Sequence, residues 1–217
     1  MIALYSYWRS SAAYRVRIAL NLKGLEYEIR PVSLLRDGGE HRQPAYLDIN
    51  PQGLVPTLLD GAVSIAQSLA ILEYLDETYT DFPLLPSAPN ERALARQLAN
   101  VVCCDIHPLN NLRVLQYLEN ELSLDKPETD AWYARWIHDG FGAIEKMLAG
   151  GDSAFCVGNT PGIADACLVP QAYNARRFGV TLDSYPRIVE IADRCNELPA
   201  FIDASPETQD SADVDRA

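Results

Sequence analysis

Ser10 and Ser11 stand side by side where a short apolar run, Ile2 to Tyr5, gives way to the helical spacing of Val16, Ala19, Leu20 and Lys23. Two hydroxyls at a strand-to-helix turn bring side-chain donors and a helix N-terminus to one place, a combination that stabilises an anion. The same pair also suits plain helix capping, a common use of serine. Arg9 adjoins the turn and Arg15 lies one helical turn beyond it. Over the first fifty residues seven basic side chains (Arg9, Arg15, Arg17, Lys23, Arg30, Arg36, Arg42) face five acidic ones (Glu26, Glu28, Asp37, Glu40, Asp48), whereas the whole chain carries a net charge of −12. An anion site in this region is therefore electrostatically reasonable.

Gln67-Ser68 opens a second helical stretch, where backbone N–H groups and a hydroxyl again point at an anion. His41 stands alone and reads equally as a surface residue. His107 and Asn111 form a polar pair at i, i+4 that also fits a solvated helix face. Arg9, Arg113 and Arg176 are guanidinium forks matched to carboxylates, though any one of them suits a surface ion pair as well. The five cysteines (Cys103, Cys104, Cys156, Cys167, Cys195) are odd in number, with no CxxC and no clustered His, so neither a disulfide framework nor a metal site is expected.

The elements that must position these residues divide the chain. Its first eighty residues read as strand, helix (Ala12 to Lys23, stopped by Gly24), strand (Tyr27 to Val32), short helix, hairpin and helix (Gln67 to Tyr79). The hairpin strands, Pro56 to Leu59 and Ala62 to Ile65, flank Asp60-Gly61, a two-residue turn signal. Pro83, Pro86 and Pro89 mark a linker over 81–90, and helices follow at about 91–121, 130–149, 163–178 and 185–204. The expected organisation is a domain over 1–80, a helical domain over 91–206 and a flexible acidic tail over 207–217.

With 217 residues, 48% hydrophobic and 22% charged, the chain is an ordinary globular protein. Its negative charge argues against a nucleic-acid partner. Apolar runs fall well short of the roughly 20 residues a membrane span requires. No secretory signal is read at the start, so a cytoplasmic protein is expected.

The segment Ser10-Ser11-Ala12-Ala13-Tyr14-Arg15-Val16-Arg17-Ile18-Ala19-Leu20 resembles the SSCxWRVRIAL motif of zeta-class glutathione transferases, the maleylacetoacetate isomerase family. Four further blocks occur in the family's order: Asn50-Pro51 with Leu54-Val55-Pro56-Thr57-Leu58; Gln67-Ser68-Leu69-Ala70-Ile71; Asp105-Ile106-His107-Pro108-Leu109-Asn110-Asn111; and Ala164-Asp165 with Leu168-Val169-Pro170-Gln171. The resemblance spans about residues 2 to 205. It implies an α/β thioredoxin-like N-terminal domain plus an all-α C-terminal helical domain (the glutathione transferase fold), usually as a homodimer, with glutathione as cofactor and a small diacid as substrate. Ala12 replaces the family's Cys and Tyr14 its Trp, a departure shared at the first position by glutathione-dependent maleylpyruvate isomerases.

By this resemblance Ser10, Ser11 and Arg15 are catalytic candidates. Ser10, Ser11, His41, Val55 (through its backbone), Gln67, Ser68, His107 and Asn111 bind glutathione, and Arg9, Arg113 and Arg176 bind substrate. A thiolate that adds to a conjugated double bond, permits rotation and leaves again would perform the isomerisation without a protein thiol. Lowering a thiol pKa from about 8.5 by roughly two units needs about 2.7 kcal/mol. One hydroxyl donated to the sulfur, at about 1.5 to 3 kcal/mol, together with a helix dipole covers it. Asp165, with Gly162 in place of the usual Ser or Thr, is assigned to capping a core helix and not to catalysis. The same site would also allow transfer of glutathione to small electrophilic or halogenated acids, and the fold can serve as a noncatalytic glutathione-binding module.

Overall fold

The computed structural model describes residues 1–210, which cluster into two compact units. The first comprises Met1–Leu84 together with the described residues from Asn196 onward, and the second Leu85–Cys195.

The first unit is built on a four-stranded sheet of order β2-β1-β3-β4. Strand β1 (Ile2–Ser6) runs parallel to β2 (Tyr27–Pro31) and antiparallel to β3 (Thr57–Asp60), which pairs antiparallel with β4 (Val63–Ala66). Parallel strands need a crossover, here supplied by helix α1 (Ser11–Leu22), which ends before Gly24 at φ 64°. The hairpin turn sits one residue later than the sequence places it. Asp60 pairs with Val63, and Gly61 takes the first turn position at φ 59°, where a side chain would be strained.

Between β2 and β3 come two short 3₁₀ turns and helix α2 (Pro44–Leu47), and after β4 helix α3 (Ser68–Thr78) packs on α1. Leu4 and Leu58 from the sheet, Val16, Ile18 and Leu20 from α1, and Ile71, Leu72 and Leu75 from α3 form its buried core. The linker begins under restraint. Lys23 Nζ donates to the carbonyls of Tyr79 and Phe82 at 2.6 Å each, beside Asp76.

In the second unit, α4 (Pro89–Asn100) continues through a π-helical turn (Val101–Ile106), and α5 (Leu112–Asn120) follows after a break. The single helix expected over 91–121 is thus three segments. Helix α6 (Lys126–Leu148) starts at a capping box formed by Asp125 and Glu128. Helix α7 (Ile163–Arg177) is buried around nearly its whole circumference and packs against α4 and α8 (Pro186–Cys195).

The helix expected over 185–204 breaks before Pro199, which starts α9 (Pro199–Ile202). Here the observed grouping differs from a helical domain over 91–206, because α9 and its flanks are bonded to α1. Tyr14 Oη donates to Phe201 O at 3.3 Å, Arg17 Nε to Ala204 O at 2.8 Å and Asn21 Nδ2 to Ala200 O at 3.0 Å. Within the tail expected over 207–217, Glu207 and Thr208 belong to a 3₁₀ turn, and everything beyond Asp210 lies outside the described residues.

Candidate active site

The turn after β1 places its hydroxyls as the sequence suggests. Ser10 is the N-cap of α1, its Oγ accepting from Ala13 N at 3.3 Å. That bond uses an acceptor lone pair and leaves the O–H to donate, so capping and anion binding are compatible. Ser11, the first helical residue, is buried. Tyr7 and Trp8 precede the turn and pack against Val55 and Leu34, which brings the hydroxyl turn and the Val55-Pro56 segment together. Arg9 lies over the Trp8 ring, its Cζ 4.9 Å from the centroid. Tyr5 is a packing residue: its hydroxyl accepts from Arg30 Nη1 at 3.2 Å and its ring meets Tyr46 edge-on.

The Val55–Pro56 peptide bond is cis. The loop leading to it is pinned by two donors on one carbonyl, Tyr46 Oη at 2.6 Å and Asn50 Nδ2 at 2.7 Å from Leu54 O. Gln67 adopts φ 72°, a left-handed conformation a glutamine rarely takes, and its Nε2 donates to Gln52 Oε1 at 2.7 Å. It makes no side-chain cap, so the first-turn N–H groups of α3 have none from the N-cap residue. Ser68 Oγ accepts from Arg15 Nη1 at 3.1 Å.

His41 is not the surface residue its isolation allowed. It is 8% exposed, Gly39 lies against its ring, and its Nδ1 has no hydrogen-bond partner among the described residues. Burial first, then the adjacent Arg42 charge, lower its pKa, favouring the neutral ring.

The other candidates belong to the second unit. His107 and Asn111 flank the break after the π-helical turn, which is held to α6 by Trp132 Nε1 on Leu109 O (2.9 Å) and Asn110 Nδ2 on Tyr133 O (3.0 Å). They are therefore not an i, i+4 pair within one helix. Asn111 caps α5, its Oδ1 accepting from Arg113 N at 3.1 Å, which leaves its amide N–H groups for other partners. Arg113 is exposed. Arg176 is also exposed and donates through Nη2 to Asp193 Oδ1 at 2.6 Å, lining a surface cavity of about 460 Å³ with Asp183 and Val189. Its fork already holds a carboxylate, in the surface ion pair that was the alternative reading of this residue.

Two residues escaped the sequence reading. Gln52 touches Gln67, and its place in Asn50-Pro51-Gln52-Gly53, just before Val55, was the available signal. Arg17 is fully buried and donates to Ser6 Oγ, Trp8 O and Ala204 O, bracing the turn that presents Ser10.

The sheet order, the hydroxyl turn and the helical unit that follows agree with the glutathione transferase fold expected from the sequence. Residues 9–78 match the family model described as "Glutathione S-transferase, N-terminal domain". The maleylacetoacetate isomerase of Pseudomonas aeruginosa is 51% identical, over 95% of this chain and 96% of its own. Among solved structures, a maleyl pyruvate isomerase described as a bacterial glutathione S-transferase in Zeta class superposes with a TM-score of 0.94 at 44% identity, covering 97% of this chain and 99% of that one. A maleylacetoacetate isomerase from Methylobacterium extorquens with bound malonate and GSH gives a TM-score of 0.92 at 41% identity and the same coverage. The chain belongs to the zeta-class glutathione transferase and maleylacetoacetate isomerase family.

Proposed function

We propose that this protein is a glutathione-dependent cis–trans isomerase that converts maleylacetoacetate to fumarylacetoacetate, a step of tyrosine and phenylalanine degradation. The observation that carries this reading is the donor set of the first unit in a chain half identical to a maleylacetoacetate isomerase: a hydroxyl turn, an α3 N-terminus left open by its N-cap residue, and the buried Arg15 with two unsatisfied donor atoms. These groups fit an anionic peptide. His41, neutral and with an unpartnered Nδ1, adds a polar ligand, and the backbone of Val55 offers the main-chain partner.

Glutathione, when bound, supplies a thiol whose reversible addition turns a conjugated double bond into one that rotates. The protein's part is to hold and polarise. Ser10 or Ser11 donates a hydrogen bond to the sulfur, and the α1 N-terminus adds its dipole. Gln67 and Ser68 receive the γ-glutamyl end, and His107 and Asn111 are the further glutathione-binding candidates of this reading. Arg9, Arg113 and Arg176 are the guanidinium candidates for the substrate carboxylates, and Arg176 would have to release Asp193 to serve. Ala12 leaves the turn without a cysteine, so no protein thiol substitutes for the cofactor. The enzyme acts as a cytoplasmic homodimer, with 1–80 as the glutathione-binding domain and helices α4 to α8 as the substrate domain.

Maleylpyruvate is the second substrate reading, favoured by the absent cysteine and by the close superposition on a maleyl pyruvate isomerase. The test offers purified protein both diacids, with and without glutathione, and follows loss of the cis isomer. Faster turnover of maleylacetoacetate, wholly dependent on glutathione, is expected. Equal rates without glutathione would overturn the mechanism, and preference for maleylpyruvate would replace the substrate.

A further inference from the structure

Helix α1 buries two guanidinium groups that are treated in opposite ways. Arg17 has all three nitrogens engaged, by Ala204 O at 2.8 Å, Ser6 Oγ at 3.0 Å and Trp8 O at 3.0 Å. Arg15 is just as deeply buried, at 1% exposed, yet among the described residues only Nη1 is engaged, by Ser68 Oγ at 3.1 Å, while Nε and Nη2 have no hydrogen-bond partner there. Among the described residues no acidic side chain pairs with it. A buried cation with open donors is costly unless something brought to the site compensates it.

The Arg15–Ser68 bond has only one possible polarity. A guanidinium carries N–H donors and no acceptor, so Ser68 Oγ must accept, and the proton of its own hydroxyl must point elsewhere. Ser68 is the first residue of α3, so its O–H joins the backbone donors at that helix end.

We propose that Arg15 is a positioning residue for the γ-glutamyl carboxylate of glutathione. It fixes Ser68 as a donor to that carboxylate and supplies the positive charge that offsets it. This assignment rests on the reading of α3 as the γ-glutamyl site and makes Arg15 a binding residue rather than a catalytic one.

The test measures glutathione affinity by calorimetry for the full-length enzyme and for Arg15→Met, Ser68→Ala and the double variant. Each single change is expected to weaken binding about 10- to 100-fold, the value of a hydrogen bond to a charged group, and the double variant no further than the weaker single. The probe γ-aminobutyryl-cysteinylglycine, which lacks the carboxylate, should bind wild type and Arg15→Met alike. In turnover the loss falls on the KM for glutathione more than on kcat, and the bound thiol titrates at the same pH in both proteins. Arg15→Gln runs the same cycle if the Met variant does not fold. Unchanged affinity, losses that multiply in the double variant, or a raised thiol pKa at constant affinity would each overturn the assignment. Wild type that binds no glutathione would instead overturn the parent reading, whereas wild type that binds and isomerises while Arg15→Met matches it overturns only this one.

Discussion

The N-termini of α3 and α7 solve the same electrostatic problem with opposite results. In α7 the anion belongs to the chain: Asp165 is 1% exposed, and its two oxygens accept from Gly162 N and Cys156 N at 2.9 Å each. Gly162 has no side chain to complete the reciprocal half of a capping box, so Asp165 alone joins the helix to the loop before it. Burial raises its pKa, opposed by those backbone hydrogen bonds. In α3 no carboxylate of the described residues caps the end. The cap position is a strained Gln67, and the neighbouring guanidinium orients a hydroxyl rather than closing an ion pair. A helix end finished internally contributes stability, whereas one left open gives up stability and offers recognition.

The sharpest way to break this contrast is to remove the internal anion. Asp165→Ala strands two backbone donors at about 1 to 3 kcal/mol each and should destabilise the fold by about 2 to 5 kcal/mol in urea unfolding. A loss below about 1 kcal/mol would mean that the α7 end is not closed in this way. Within α1 the same contrast separates the two arginines. Arg17→Met orphans three acceptors and should cost about 1 to 3 kcal/mol, with relief of the buried charge offsetting part of it. Arg15→Met should cost clearly less in the same assay; equal losses would erase the distinction.

A smaller effect tests the open end directly. Gln67→Gly removes the backbone strain and should raise stability by up to about 1 kcal/mol while weakening glutathione binding. A variant no more stable than wild type would show that φ 72° at this position carries no strain.

The smallest effect concerns a carboxylate satisfied by hydroxyls. Asp60 Oδ2 accepts from Tyr74 Oη at 2.9 Å and Tyr79 Oη at 2.6 Å, and this bond is the main reason Tyr79 is pushed up to about 12. Because the folded value exceeds the unfolded value of about 10, the contribution is complete below pH 10 and is lost as pH rises through about 12. The stability difference between wild type and Tyr79→Phe should therefore stay level from pH 7 to 9 and fade in strong alkali. Ultraviolet titration that finds this tyrosine ionising near 10 would remove the effect.

Features announced by side-chain type were legible in the sequence. The hydroxyl turn, the opening of α3 and the assignment of Asp165 to capping follow from residue identity and spacing, and the structure places each at the expected helix end. What escaped depends on backbone. Arg17 bonds two carbonyls, one of them 187 residues away, and a carbonyl has no signature in a sequence. The π-helical turn at Val101–Ile106 differs from α-helix by one residue of register, too little to disturb an apolar pattern over a single turn. The capping role of Asn111 also had a local signal, since Pro108 three residues earlier marks a break that an asparagine commonly caps.

The bonds from α1 to residues 200–204 also impose an order on synthesis. A ribosome makes β1, α1, β2 and the hairpin early, but the acceptors for Tyr14, Arg17 and Asn21 emerge only after about 180 further residues. At about 5 to 20 residues per second helix α1 waits roughly 10 to 40 seconds with a guanidinium whose final partner does not yet exist. During that interval the helix carrying the hydroxyl turn lacks its last brace, so the half of the molecule that is translated first is the half completed last.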